Sequence, residues 1–215
     1  MKKIFLSFSL FIIIALSAQA GGGAKYQAKM GKALAKFQVA ETMEDFQALA
    51  NEFQLIARKE KKEWLPLYYH AHLHIIMSFR TQEGPEAKDA LLDVAAESVE
   101  KMVELAPDEA EVYVMQGFLY TGRLMVDPAI RGQRYSMLSQ QSNGRALAME
   151  PTNPRAKYLK LANEMGTARH FGQELSSYCS KARELAKQWD EYKSPSAIHP
   201  HWGKDRAVKL GNSCN

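Results

Sequence analysis

Three histidines at alternate positions, His70, His72 and His74 in "YYHAHLH", are the side chains of this sequence whose type and spacing suit metal binding. Neutral imidazole is a common metal ligand, and zinc takes three or four protein donors in a tetrahedral array. The chemistry depends on the backbone that carries them. On a strand all three rings would point to one face and form a three-ligand surface. On a helix, at about 100° per residue, His70 and His74 share a face while His72 points nearly opposite. The segment continues into Ile75, Ile76, Met77 and Phe79, and Pro66 fits the first turn of a helix but not its interior. A helix is therefore expected. It would offer two ligands at most, with His199 or His201 the candidates for outside help. The expectation is a packed histidine pair, with no metal and no cofactor assigned.

No other constellation supports catalysis. The chain has no Gly-rich phosphate loop, no nucleophile elbow, no paired histidines around a glutamate and no Cys-x-x-Cys, so it is read as a non-enzyme. The formal charge is +4, of which Lys2 and Lys3 account for two, and no basic stripe is present to neutralise phosphates. Nucleic acid is excluded as a partner on that ground.

Positioning begins with the address. Residues 1–20, MKKIFLSFSLFIIIALSAQA, read as a secretory signal peptide: a basic start, an apolar run from Ile4 to Leu16, and Ala18-Gln19-Ala20 as the cleavage signal. The expected mature chain is exported, periplasmic or secreted, without stable membrane insertion, because the apolar run is shorter than a span of about 20 residues. Cys179 and Cys214 both fall in the exported part, where an oxidising compartment permits a bridge; the other outcome is two unpaired thiols.

The rest of the pattern is helical. Tyr26, Met30, Ala33 and Phe37 recur at helical spacing, as do Phe46, Leu49, Phe53 and Ile56 behind Thr42 with Asp45 three residues on, a cap signature. Leu92, Ala95, Val99, Met102 and Ala106 form a further stripe that stops near Pro107, and Asn153-Pro154 supplies a cap and a first-turn proline for the helix through Tyr158, Leu161 and Met165. The last long helix is expected to run through Leu175, Tyr178, Ala182, Leu185, Trp189 and Tyr192. No segment alternates as a strand would, so the fold class is all-α.

Two segments are self-similar. Ala95, Val99, Met102 and Pro107 have the spacing of the second helix of a tetratricopeptide repeat and its exit; Tyr113, Gly117 and Tyr120 have that of the next first helix. A second exit lies at Ala146 and Pro151. The interval is about ten residues longer than a repeat of about 34, which points to an insertion at "MVDPAIRGQR". On "EWLPLYY", "GFLYTGRLMVDPAIRG", "MEPTNPRA", the late "FG" and "HPHWG", the chain resembles small exported tetratricopeptide-like proteins of Gram-negative bacteria. The resemblance implies an irregular helical-repeat array over residues 21–193, without known enzymatic activity. The sequence departs from the pattern after Phe171-Gly172, where "QELSS" stands in place of a more glycine-rich turn.

A repeat array presents a concave face formed by its first helices. The expected function is therefore binding of a protein or peptide partner at Tyr69, His72, Val114, Phe118 and Tyr158. His72 faces that groove whether Trp64 or Leu67 leads its repeat. The alternative is an exported small-molecule or metal-binding protein that uses the His70/His74 region. The tail, residues 194–215, carries Ile198, Trp202, Val208 and Leu210 and is expected to pack on the last helix, tied there by a Cys179–Cys214 bridge.

Overall fold

The computed structural model describes residues 23–214, so the proposed signal peptide lies outside the described residues. Among these, the regular structure is entirely helical: α1 (Ala24–Phe37), α2 (Met43–Lys59), α3 (Leu65–Arg80), α4 (Pro85–Leu105), α5 (Ala110–Val126), α6 (Pro128–Met149), α7 (Pro154–His170), α8 (Ser176–Gln188), a 3-10 turn (Trp189–Glu191) and α9 (Lys204–Asn212). No helix among them is long and apolar enough to cross a membrane.

The starts follow from local chemistry. Thr42 and Asp45 close a reciprocal capping box on α2, with the Asp45 amide donating to Thr42 Oγ1 at 3.0 Å. Asn153 Oδ1 accepts from the amides of Arg155 and Ala156 at 3.1 and 3.0 Å, and Pro154 occupies the first turn of α7. Consecutive helices pack on one another through the chain, and α3 also packs on α5, as α5 does on α7. α1, α2 and α8 are amphipathic and bury one stripe each. α3 and α5 are buried on nearly every side, because α2, α4, α6 and α7 surround them and the C-terminal segment covers what remains.

The stretch "MVDPAIRGQR" forms no separate loop but joins the end of α5 directly to the start of α6. Asp127 caps α6 by accepting from the Ile130 amide, and α6 then runs unbroken through Gly132 and Asn143-Gly144 to Met149. The extra length is helix. Asn143 does not end α6, because its Nδ2 donates to Ser139 O at 2.8 Å and its side chain seats against Gly117 of α5. A Cβ at Gly117 would lie 2.5 Å from Asn143 Nδ2, so the absent side chain is what lets α5 and α6 approach.

Cys179 and Cys214 are joined, with their Cα atoms 6.2 Å apart. The bridge fastens the end of α9 to α8, reinforced by Arg183 Nη1 donating to Gly211 O at 2.6 Å. Between α8 and α9, residues 193–203 leave the α8 layer and lie across α3 and α5. Tail packing is thus divided: α9 sits on α8, while Ile198 and Trp202 join the main core and Val208 is exposed.

Candidate functional site

Because α3 is a helix, the histidines separate as its geometry requires. His70 and His74 stack on one side with ring centroids 4.4 Å apart. His70 Nδ1 lies 2.8 Å from Ser98 Oγ of α4, and His74 Nδ1 lies 2.9 Å from His70 O. A carbonyl only accepts, so His74 Nδ1 carries the proton. No group of three His, Cys, Asp or Glu side chains among the described residues could hold a metal ion. His199 makes no third ligand there: its ring packs on Trp64 and its Nδ1 sits 2.7 Å from Ser196 Oγ.

His72 is on the other side, 2 % exposed, and neither of its ring nitrogens has a hydrogen-bond partner. Its surroundings are aromatic: Phe37 at 5.6 Å, Phe118 at 5.8 Å and Trp202 at 4.9 Å between ring centroids. Trp202 stacks on Phe118 at 5.3 Å and 30°, and Phe118 in turn meets the partly exposed Phe79 at 5.6 Å. The Arg206 guanidinium lies over both Phe118 and Trp202, at 5.2 and 5.8 Å from the ring centroids.

A buried polar chain holds this segment down. Trp202 Nε1 donates to the Tyr68 hydroxyl at 2.9 Å, and that hydroxyl donates to Glu111 Oε2 at 3.0 Å. Glu111 Oε1 accepts from Asn153 Nδ2 at 2.6 Å and Arg155 Nε at 2.8 Å. Arg155 Nη2 also lies 2.7 Å from that oxygen, without hydrogen-bond alignment. Burial opposes the charge on Arg155, but the Glu111 carboxylate outweighs it and holds the guanidinium above its ordinary range. Burial, then the Glu111 charge, raises the Tyr68 phenol well above its usual value. Tyr69, stacked on Phe53, fixes the other end of the segment by donating to Ile198 O at 2.8 Å.

The residues proposed for an open groove are therefore brought together but not open. Tyr69, His72, Val114 and Phe118 are buried, and only Tyr158 is half-buried. Tyr69, His72 and Phe118 line a crevice that residues 193–203 fill, with Ile198 against Tyr69 and Trp202 against His72 and Phe118. Sequence reasoning gave no site role to Glu111, which lies just inside α5 behind its cap Glu109, or to Arg206, and it placed Trp202 on the last helix instead of against α3 and α5. The tail's surplus of apolar side chains was the available signal.

Protonation of the histidines opposes folding. Burial lowers His72 to about 3, with Arg206 adding to the effect, and His70 to about 4, with His74 and Lys101 adding; burial lowers His74 as well. Unfolded histidine titrates near about 6.5. Between that pH and the folded values the unfolded chain binds more protons, so stability is full above about 6.5 and falls as pH drops. Denaturant midpoints from pH 7.5 to 4.5 should decline over this window, and His72→Leu should flatten the decline. An unchanged slope in that variant would show that His72 binds its proton equally in the folded and the unfolded chain.

The described residues form an all-α protein in which the central helices α3 and α5 carry an aromatic crevice under a C-terminal segment. A solved structure has a similar all-helical fold: the HusA haemophore from Porphyromonas gingivalis, with a TM-score of 0.77 and 28 % identity, the match covering 90 % of this chain and 94 % of that one. No family model matches, and no curated protein matches. The expectation of a protein or peptide partner on a concave face is overturned by this likeness to a haemophore, and the burial of the groove residues is the physical reason it fails.

Proposed function

We propose that this chain is a non-enzymatic, exported binder of haem. The observation that carries the reading is the likeness to a haemophore over nearly the full length of both chains, at 28 % identity. The side chains present suit such a ligand. Phe118, Phe79 and Phe37 offer flat apolar contact, His72 offers nitrogens that no protein group uses, and Arg206 offers a cation for a carboxylate. The repeat-like stacking of α3, α5 and α7 supports an array whose first helices share one inner wall. Export rests on the signal-like residues 1–20 and on a Cys179–Cys214 bridge, which an oxidising compartment sustains.

Titration of the mature chain with hemin tests this. A saturable change in the Soret band at one equivalent, with a dissociation constant in the micromolar range or tighter, about −8 kcal/mol, is expected. A mixture whose spectrum remains that of free hemin plus protein would overturn it.

A further inference from the structure

We propose that Trp202 occupies the place of the ligand: an iron porphyrin enters between α3 and α5 by displacing the Trp202 ring, stacks on Phe118, and takes a nitrogen of His72 on its iron. This deepens the haem reading and rests on it.

Three observations converge on the crevice. The first is His72 itself. Burying an imidazole without hydrogen bonds is unfavourable, and such a group in a native core calls for an explanation. His72 sits on the same central helix as His70 and His74, whose Nδ1 atoms are both satisfied, so its bare nitrogens are a local exception. Burial keeps the ring neutral, which leaves a lone pair to donate to iron in exchange for the water or anion that hemin carries.

The second is the shape of what fills the space. Trp202 is a flat indole stacked on Phe118 and tilted 37° against His72, with Arg206 above it. His72 meets the Phe118 ring at 67°, so a macrocycle lying parallel to Phe118 would meet the imidazole steeply, as iron coordination requires. Phe79, 36 % exposed, extends this aromatic floor to solvent and gives a larger ring system an edge to enter by. Arg206, freed from the indole face, remains beside the crevice for a carboxylate.

The third is how the segment is mounted. Residues 193–203 form no helix and bond through side chains to α3 by two tyrosine contacts, Tyr69 to Ile198 and Tyr68 to Trp202. Their other side is undercut by a cleft of about 440 Å³, bordered by Trp189, Tyr192, Ser194, Ala197 and His201. Gly203 links the segment to α9 at φ 116°, where an added Cβ would lie 2.7 Å from the Trp189 ring. α9 itself is fixed to α8 by the disulfide and Arg183. The segment has room to lift while both of its ends stay attached.

Hydrogen exchange on the wild-type mature chain, with and without hemin, is the central experiment, joined by affinities for hemin and for metal-free protoporphyrin. Hemin should speed exchange of the amides in 193–203 by about ten-fold or more, as expected when a docked segment opens. His72→Leu should weaken hemin by about ten-fold or more and leave metal-free protoporphyrin within about two-fold, while Trp202→Ala should tighten both by about three-fold or more. Slowed or unchanged exchange at 193–203 in a chain that binds hemin overturns the proposal and leaves the haem reading standing. Equal hemin affinity in a folded His72→Leu variant overturns the assigned nitrogen. Binding of neither porphyrin by the wild type overturns both readings.

Discussion

Glu111→Ala is expected to lower the unfolding free energy by about 3–5 kcal/mol, the range for removing one partner of a buried ion pair. Arg155 is 1 % exposed and Glu111 2 %, so solvent cannot reach the guanidinium that the substitution strands. The same change removes the acceptor of the Tyr68 hydroxyl and one of the two acceptors of Asn153 Nδ2, which also donates to Glu150 Oε2 at 2.7 Å. Each buried donor left without an acceptor adds a penalty of about 1–3 kcal/mol, not fully additive with the first. Urea unfolding measures the loss, and a change below about 1 kcal/mol would show that water enters and replaces the carboxylate. The double variant Glu111→Leu, Arg155→Met should recover much of the loss, because removing both charges leaves neither stranded.

Replacing Cys179 and Cys214 together with Ala is expected to cost about 4 kcal/mol in the chain-entropy account, for a sequence separation of 35 residues. The loss should be local in its consequences. α9 is a helix of 9 residues, too short to persist alone, and it buries only Ala207 and Gly211. Gly211 approaches α8 so closely that an added Cβ would lie 2.7 Å from Arg183 Cγ, so the contact depends on register that the bridge maintains. Without the bridge, proteases should cut at Lys204 and Lys209 while α1 to α7 remain resistant. Equal resistance of the tail in both forms would assign its docking to Trp202 and Ile198 alone.

The contrast between these two devices shows what the sequence made legible. The α-class, the caps at Thr42 and Asn153 and the division of His72 from His70 and His74 all follow from periods of a few residues, which a linear reading samples directly. The cysteine pair was legible as a possibility, from compartment and number. Glu111 was not, because its partner Arg155 comes from the start of a helix beyond all of α6, and a glutamate just after Pro107-Asp108 looks like a solvated cap. Gly132 and Asn143-Gly144 are turn signals in a linear reading, yet α6 runs through them, because the fit of Asn143 to Gly117 overrides local preference. The groove residues were read as an open face, yet the covering segment returns to Tyr68 and Tyr69 from more than a hundred residues away. No local period encodes that return, and it converts an open face into an interior.

Residues 193–203 are anchored at both ends, through α8 on one side and through α9 and its disulfide on the other. Under the proposed displacement, Trp202 is a competitor that never diffuses away, present beside Phe118 at the effective concentration of a short tether, on the order of millimolar. A ligand that needs the same space has its apparent dissociation constant raised by the inverse of the fraction of molecules in which the segment stands open. If the open form is about one in a hundred, affinity weakens about a hundred-fold from its intrinsic value, and the same returning ring drives the ligand out when a better acceptor is near. Strength of capture and readiness to hand over are then set by one quantity, the docking free energy of a single tryptophan loop, which substitutions at Tyr69 or Ile198 would tune without touching the ligand.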